Sequence, residues 1–361
     1  MRIELPISKS IANRLLILQA IHGDGLMTVS CDMPDDVRIM SEAIRLLGER
    51  REARIYLGNC GTAMRFLTAY CAQLEGQTTI LDGVERMHHR PIGQLVDALR
   101  EIGADIEYLG EEGFPPLRIK GCILDKQRIV TINNPQSTQF VSALLLIGAN
   151  VQTDSTSPYI YITQEVIKQY QLSPFSFHLT VEKDWSAAAF WYEYVALHGG
   201  EITLPGLSCD SLQGDKVVAD IFNHLGVRTT YTAEGITLSP IAYSEASYSP
   251  LSGRPIAAQA ASHSKILVQD FGNCPDLYPA VALTCERLGI ELHATGVESL
   301  PLKESDRLRA VAEHRADADH RMAMALLIAG YEVDDTTCIS KSYPQFLEHF
   351  HQLQENNCLH S

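Results

Sequence analysis

"IGQLVDALREIGADIEYLG", residues 92 to 110, changes period across a single glycine. Ile92, Leu95, Val96, Leu99 and Ile102 recur at three- and four-residue intervals, the apolar stripe of an amphipathic helix. After Gly103 the run "ADIEYLG" alternates apolar and polar residues, as a strand with one covered face does. Glycine suits the join, because the residue after a helix's last turn often takes left-handed backbone, which strains every residue with a Cβ.

The device recurs. Val37, Met40, Ile44 and Leu47 form a stripe behind Asp35 and Asp36 that ends at Gly48. "VVADIFNHLGVRTTYTAEGITL" (217–238) ends its helix at Gly226, and "YPAVALTCERLGIELHATG" (278–296) at Gly289. The intervals between these glycines are roughly 60 residues or about twice that, as a repeated βαβ-type unit requires. The expectation is an α/β fold, and 361 residues accommodate two domains. The chain is expected to cross between them around "TVEKDWSAAAF", residues 180–190, where an apolar strand meets a charged turn and a new helix.

Composition narrows the function. At 45% hydrophobic and 20% charged the chain is globular rather than disordered. A formal net charge of −15 argues against nonspecific nucleic-acid or anionic-membrane partners. Any anionic ligand must therefore meet cations gathered at one site. The nine cysteines stand singly with no CxxC, which suits reduced thiols. "MRIELPISKS" has no apolar leader core, and no apolar run approaches the ~20 residues of a membrane span. A soluble, cytoplasmic protein is expected.

Several segments open helices with groups suited to anions or proton transfer. In "LPISKSIANRLLILQAIHG", Ser8 or Ser10 can cap a helix whose mouth carries Lys9, with Arg14 one turn on. "GNCGTAMRFLTA" offers backbone donors around Gly61 without the GK[ST] spacing of a Walker loop, and Cys60 reads as a small packed side chain. In "ERMHHRPIGQ" Arg90 precedes a proline suited to a helix start, while the adjacent His88 and His89 lack metal-site spacing. Ser137, Thr138 and Gln139 supply neutral donors, and Thr156 and Tyr159 flank Pro158. Asp276 follows Pro275, and "PLKESDRLRAVAEHRADADHRMAMALLIAG" (301–330) sets Lys303, Glu304, Asp306, Arg307, Asp319 and Arg321 at two helix mouths. Each alone reads equally well as a capped or solvated helix start. Together they suggest one cleft lined by helix mouths.

"SKSIANR", "GNCGTAMR", "ERMHHRPIGQLVDALREIGA", "STQFVSALLL", "SPYIYIT", "CPD", "KESDR", "DHRMAMA" and "KSYPQF" occur in the order of one family. Over nearly its whole length the chain resembles the 5-enolpyruvylshikimate-3-phosphate synthases, a branch of the enolpyruvyl transferases. The resemblance implies two similar lobes, each of three βαβαββ units: 9–182 as the N-terminal lobe, 1–8 with 183–361 as the C-terminal one. It implies transfer of the enolpyruvyl group of phosphoenolpyruvate to the 5-hydroxyl of shikimate 3-phosphate, with release of phosphate in the shikimate pathway. No metal or organic cofactor is needed, and a monomer is expected.

By motif, Lys9, Asp276 and Glu304 would carry protons, Lys9 and Glu304 nearest the enolpyruvyl carbon and Asp276 facing the shikimate hydroxyls. Lys9, Gly61, Arg90, Arg307, Arg321 and Lys341 would bind phosphoenolpyruvate. Lys9, Ser10, Arg14, Ser137, Thr138, Gln139, Thr156, Tyr159, Asp276 and Lys303 would bind shikimate 3-phosphate. The chain departs from the family pattern at Thr138 and Thr156, where serine is usual, at Ser299, where an amide is usual, and at the His pair before Arg90. The alternatives are an enolpyruvyl transferase acting on UDP-N-acetylglucosamine, and an anion-binding paralogue without turnover. The stretches 48–56 and 310–319 are too short for the strands the repeat demands, and residues absent from the chain are expected there rather than natural trimming.

Overall fold

The computed structural model describes residues 1–172, 181–241 and 266–358. Thr180, at the start of the expected crossover, lies outside them, as does the side chain of Cys358. The chain divides into two compact units. The N-unit comprises Lys9–Cys31 and Asp35–Val181, and the C-unit comprises Met1–Ser8, Asp32–Pro34 and Glu182–Ser361.

In the N-unit three helices lie innermost: α1 (Lys9–His22), α3 (Gly61–Ala72) and α5 (Thr138–Leu146), which touch one another. Three more fill the gaps between them: α2 (Asp35–Glu49), α4 (Gly93–Glu101) and α6 (Pro158–Leu172). The sequence explains the division. In α3 every residue but Thr62 is buried, so it is apolar nearly all round and belongs inside. In α2 and α4 one face is buried: the stripes read above, Val37, Met40, Ile44 and Leu47 in one and Leu95, Val96 and Leu99 in the other, with Asp36, Ala43 and Ala98 beside them.

One repeat of this unit is complete. Strands β1 (Glu52–Tyr56), β2 (Thr78–Asp82), β3 (Asp105–Tyr108) and β4 (Leu117–Lys120) alternate with α3 and α4 and form a sheet in the order β1-β2-β4-β3. β1 and β2 run parallel, and the hairpin strands β3 and β4 close the sheet antiparallel. Among the described residues, the repeat around α5 and α6 shows β5 (Ile129–Thr131) parallel to β6 (Asn150–Gln152).

The C-unit follows the same plan. Its inner helices α7 (Trp185–His198), α9 (Tyr278–Leu288) and α11 (His320–Ile328) touch one another, and α8 (Val218–His224), α10 (Arg307–Glu313) and α12 (Phe346–Cys358) follow them in the chain. In α7 every residue from Trp185 to Leu197 is buried, and the core gathers around Trp185, Trp191, Phe190 and Phe222. Strands β7 (Ile202–Pro205), β8 (Val227–Tyr231) and β9 (Gly235–Pro240) form an antiparallel sheet in the order β7-β9-β8. Arg2 bridges Thr203 in parallel, and Ile3 N donates to the Thr203 carbonyl at 2.9 Å. The N-terminal residues thus stand where β1 stands in the complete repeat, from the far end of the chain. A further pair, β10 (Ile266–Asp270) and β11 (Glu291–Thr295), is parallel.

Each unit keeps three helix pairs, and among the described residues of the N-unit the repeat of β1 to β4 carries all four strands. At the first short stretch, α2 runs through Gly48 to Glu49 and β1 starts at Glu52. Gly48 thus lies within the helix and outside the left-handed region, unlike Gly103, Gly226 and Gly289 with φ of 100°, 87° and 68°. At the second, α10 passes to α11 through residues 314–318, and His314, Asp317 and Ala318 take φ of 52°, 48° and 56°. Three non-glycine residues in left-handed backbone within five positions mark a strained connection. None of the eight cysteines with described side chains forms a disulfide.

Candidate active site

In the N-unit, α1 carries Lys9 at its first residue, and Lys9 Nζ lies 3.0 Å from Asp36 Oδ2 at the start of α2. The Ser8 hydroxyl is buried without a hydrogen-bond partner, so the expected cap from that residue is not made. Arg14, one turn along, is 2% exposed and turned inward. Its Nε donates to Thr163 Oγ1 at 2.7 Å, Nη1 to the Ser10 carbonyl at 2.6 Å, and Nη2 to Ser142 Oγ at 3.3 Å and the Tyr159 carbonyl at 3.0 Å. Burial lowers Arg14 to about 10, against a small opposing effect of Tyr159, and it remains a cation at neutral pH. It ties α1, α5 and α6 together and fixes the backbone that bears Ser10 and Tyr159.

Gly61, first residue of α3, sits under two guanidiniums. A Cβ built on it would lie 2.6 Å from Arg65 Nη1 and 2.6 Å from both Arg90 Nη atoms. Arg65 donates to the Gly61 and Pro91 carbonyls at 3.1 Å each, and Arg90 Nη1 to the Asn59 carbonyl at 3.3 Å. Pro91 precedes α4 by two residues rather than starting it. Ser137 caps α5, its hydroxyl accepting from Gln139 N at 3.3 Å, and Gln139 Nε2 reaches Thr62 Oγ1 at 2.9 Å, so Thr138 opens a helix joined to α3. Thr156 lines a groove of about 750 Å³ with Thr131, Asn133, Asp154, Tyr161 and Gln164.

The C-unit gathers its expected residues into one ionic network. Arg307, 1% exposed, is its centre. Nη1 meets Asp276 Oδ1 at 2.8 Å, Nη2 meets Glu304 Oε2 at 3.2 Å, and Nε meets Asp319 Oδ2 at 2.8 Å. Arg321 Nη2 takes the other Asp276 oxygen at 2.9 Å, and Lys303 Nζ lies 3.7 Å from Asp276 Oδ1. Lys341 Nζ takes Glu304 Oε1 at 2.8 Å. Burial alone would lower both arginines, but the carboxylates outweigh it and raise them, Asp319 foremost for Arg307 and Asp276 for Arg321. Asp306 and Asp319 also cap α10 and α11, accepting from Arg309 N at 3.2 Å and Arg321 N at 2.9 Å. In Asp319 one residue does both capping and ion pairing.

Sequence reasoning missed four members. Asp36 was legible only as a helix-start acid, and Arg65 was inside a quoted motif without a role. Asp319 as a partner of Arg307 had no local signal. Asp215 is buried and raised to about 7, by burial first and then the charge of Asp276.

The family model described as EPSP synthase (3-phosphoshikimate 1-carboxyvinyltransferase) matches residues 1–173, 147–315 and 311–350. The chain belongs to the EPSP synthase family. A 3-phosphoshikimate 1-carboxyvinyltransferase of Bacteroides fragilis is 36% identical, over 95% of this chain and 93% of the relative. One of Cellvibrio japonicus is 31% identical, over 97% and 96%. The former alignment runs to 406 positions, so the relative carries residues without a counterpart among the 361 here. Two parts of the family match overlap at 311–315, from the end of α10 into the strained connection before α11.

Among solved structures, EPSP synthase of Acinetobacter baumannii aligns with a TM-score of 0.64 at 18% identity, over 98% of this chain and 95% of that one. The enolpyruvyl transferase NikO of Streptomyces tendae gives 0.64 at 13% identity, over 98% and 94%. These two share the fold equally, so the fold does not choose the substrate. The EPSP synthase family's activity, and that of this enzyme as its member, is 3-phosphoshikimate 1-carboxyvinyl transfer. Among the described residues no helix is long and apolar enough to cross a membrane.

Proposed function

We propose that the residues gathered in each unit carry this transfer, with phosphoenolpyruvate as donor and the 5-hydroxyl of shikimate 3-phosphate as acceptor. The hydroxyl oxygen attacks C2 of phosphoenolpyruvate and loses its proton, while C3 gains one. The tetrahedral intermediate then returns a proton from C3 and breaks the C2–O bond to phosphate. The supporting observation is the hold on Glu304, whose two oxygens meet Lys341 and Arg307 at 2.8 and 3.2 Å. An anion that engages these cations relieves Glu304 of opposite charge, the condition in which a carboxylate takes up a proton. Glu304 then delivers the proton to C3 and recovers it.

Asp276 accepts the hydroxyl proton, and Lys9, released from Asp36, stabilises developing negative charge and passes a proton to the departing phosphate, which leaves carrying the equivalent of the proton that the hydroxyl lost. Arg90, Arg307, Arg321, Lys341 and the Gly61 N–H hold phosphoenolpyruvate. Ser10, Ser137, Thr138, Gln139, Thr156, Tyr159 and Lys303 hold shikimate 3-phosphate, with Arg14 fixing two of their supports. The protein works as a cytoplasmic monomer. A coupled phosphate-release assay with phosphoenolpyruvate tests the reading: turnover is expected with shikimate 3-phosphate, and turnover with UDP-N-acetylglucosamine instead, or with neither, would reject it.

A further inference from the structure

The fold treats the two histidines before Arg90 differently. Both lie in the 3-10 turn Glu85–His89, which follows β2 and delivers Arg90. His88 is half-buried, and its Nε2 lies 2.9 Å from Oδ1 of Asp82, the last residue of β2. A carboxylate can only accept, so the ring nitrogen donates. Glu85 adds a looser contact, 3.7 Å from His88 Nδ1. His89 is exposed, and its Nδ1 lies 3.0 Å from the Glu85 carbonyl within the same turn. Asp82 is itself anchored: Oδ1 also accepts from Gly83 N at 2.8 Å, and Oδ2 from Arg54 Nη2 in β1 at 2.8 Å. Burial would raise this carboxyl, but His88, Arg54 and the Gly83 N–H outweigh it and hold it below its ordinary value.

The turn begins and ends on one loop, the segment that leads into Gly61 and α3. Leu57 N donates to the Asp82 carbonyl at 2.8 Å, and Val84 N to the Gly58 carbonyl at 3.1 Å. Met87 is fully buried, and a Cβ built on Gly83 would lie 2.9 Å from Met87 Cβ and 2.5 Å from the Gly58 oxygen. Arg90 N then donates to the Met87 carbonyl at 3.1 Å, and the Arg90 guanidinium returns to the loop at the Asn59 carbonyl, 3.3 Å away. The His88 side chain ties the far end of this turn back to its first anchor, just ahead of the guanidinium over Gly61.

We infer that His88 is a positioning residue for Arg90: bonded to Asp82, it closes the turn 83–89 and fixes where the Arg90 guanidinium stands over Gly61. The inference rests on the assignment of Arg90 to phosphoenolpyruvate. A long side chain meets an anion in one geometry only when the backbone that bears it is fixed. Without the bond to Asp82, the residues ahead of Arg90 regain freedom, and each binding event must order them again. His89 shares the turn, the residue type and the adjacency to Arg90 but makes its bond inside the turn, so it has no such part.

The test is steady-state kinetics of the full chain with each substrate varied in turn. His88→Ala is expected to raise KM for phosphoenolpyruvate about fivefold, the scale of one half-buried charge-assisted bond. KM for shikimate 3-phosphate, kcat and the melting temperature should stay close to wild type. His88→Gln, whose long amide can return an N–H to Asp82, should recover most of the loss, and His89→Ala should behave as wild type. Arg90→Lys keeps the charge but loses the guanidinium fork, and in that background His88→Ala should add nothing further, because both act through one contact. An unchanged KM for phosphoenolpyruvate in His88→Ala, an equal loss in His89→Ala, or a loss that persists in full beside Arg90→Lys overturns the inference. If His88→Ala does not fold, Asp82→Asn replaces it, with the same expected rise and the same refutation. Arg90→Lys with an unaltered KM for phosphoenolpyruvate rejects the assignment of Arg90 together with the inference. If wild type shows no turnover, the functional reading falls, and calorimetric dissociation constants for phosphoenolpyruvate in the same variants decide the inference by the same ratios. Absence of any binding by wild type rejects both.

Discussion

Two arginines, one in each unit, are almost equally buried and oppositely treated. Arg14 is 2% exposed and Arg307 1%. Arg14 gives its donors to two hydroxyls and two carbonyls, Arg307 to three carboxylates and the Pro275 carbonyl. Burial lowers the first to about 10, whereas carboxylates override burial and raise the second. Partner charge, not depth, sets the sign. The N-unit uses its buried cation as a strut between helices. The C-unit uses its own as the hub of a network whose members an anion can re-pair.

The strongest way to break this contrast is through chemistry. Lys9→Met removes the proton carrier proposed for the N-unit, and Glu304→Gln the one proposed for the C-unit. Each should lower turnover by about 10²–10⁴-fold, the usual contribution of one positioned acid or base. Steady-state rates within a few-fold of wild type for either variant would remove that residue from the mechanism.

Stability sharpens the contrast next. Arg307→Met removes the cation shared by Asp276, Glu304 and Asp319 and should cost about 3–5 kcal/mol. The penalty should shrink toward acid pH, where the under-compensated carboxylates take up protons. Arg14→Met strands only neutral acceptors and should cost about 1–3 kcal/mol with little pH dependence. Urea denaturation at pH 5 and pH 8 decides, and equal pH dependence of the two variants would erase the distinction.

Gly61→Ala probes the anion contact proposed for the N-unit. The new methyl meets the ends of two flexible side chains, so Arg65 and Arg90 can move without unfolding the protein. KM for phosphoenolpyruvate should rise about tenfold, some 1.4 kcal/mol, with the melting temperature nearly unchanged. An unaltered KM would show that Arg90 does not reach this substrate.

The smallest effect concerns the C-unit's core. Both carboxyl oxygens of Glu193, in α7, are buried without a hydrogen-bond partner. Burial holds its pKa well above the ordinary 4.5. Above that ordinary value the unfolded chain sheds the proton first, so stability is lost as pH rises. Glu193→Met should therefore be more stable than wild type by about 1–2 kcal/mol at pH 8, with the gap closing near pH 4. Parallel melting curves at the two pH values would refute this.

Much of this was open to reading in the chain. The stripes of α2 and α4 were legible because apolar spacing is local, and the left-handed Gly103, Gly226 and Gly289 because only the next residues matter. Gly48 misled, since helix propensity and packing carried α2 through it to Glu49. The segment that stands in for β1 in the C-unit is residues 1–3, which bridge Thr203 about two hundred positions away, and no local pattern announces such a pairing. The capping of α10 and α11 could be foreseen from Asp306 and Asp319, but the second duty of Asp319 could not.

By itself the sequence determined which segments become helices, where they start, and which charged residues stand at those starts, because caps, periods and turns act within a few residues. The order of those motifs also determined the family. Only the tertiary structure decided the partners: Lys341 with Glu304, Arg307 with Asp276, Lys9 with Asp36, and two guanidiniums over Gly61. These residues are brought together by packed helices rather than by sequence spacing. The charge on a buried group depends on what it meets there.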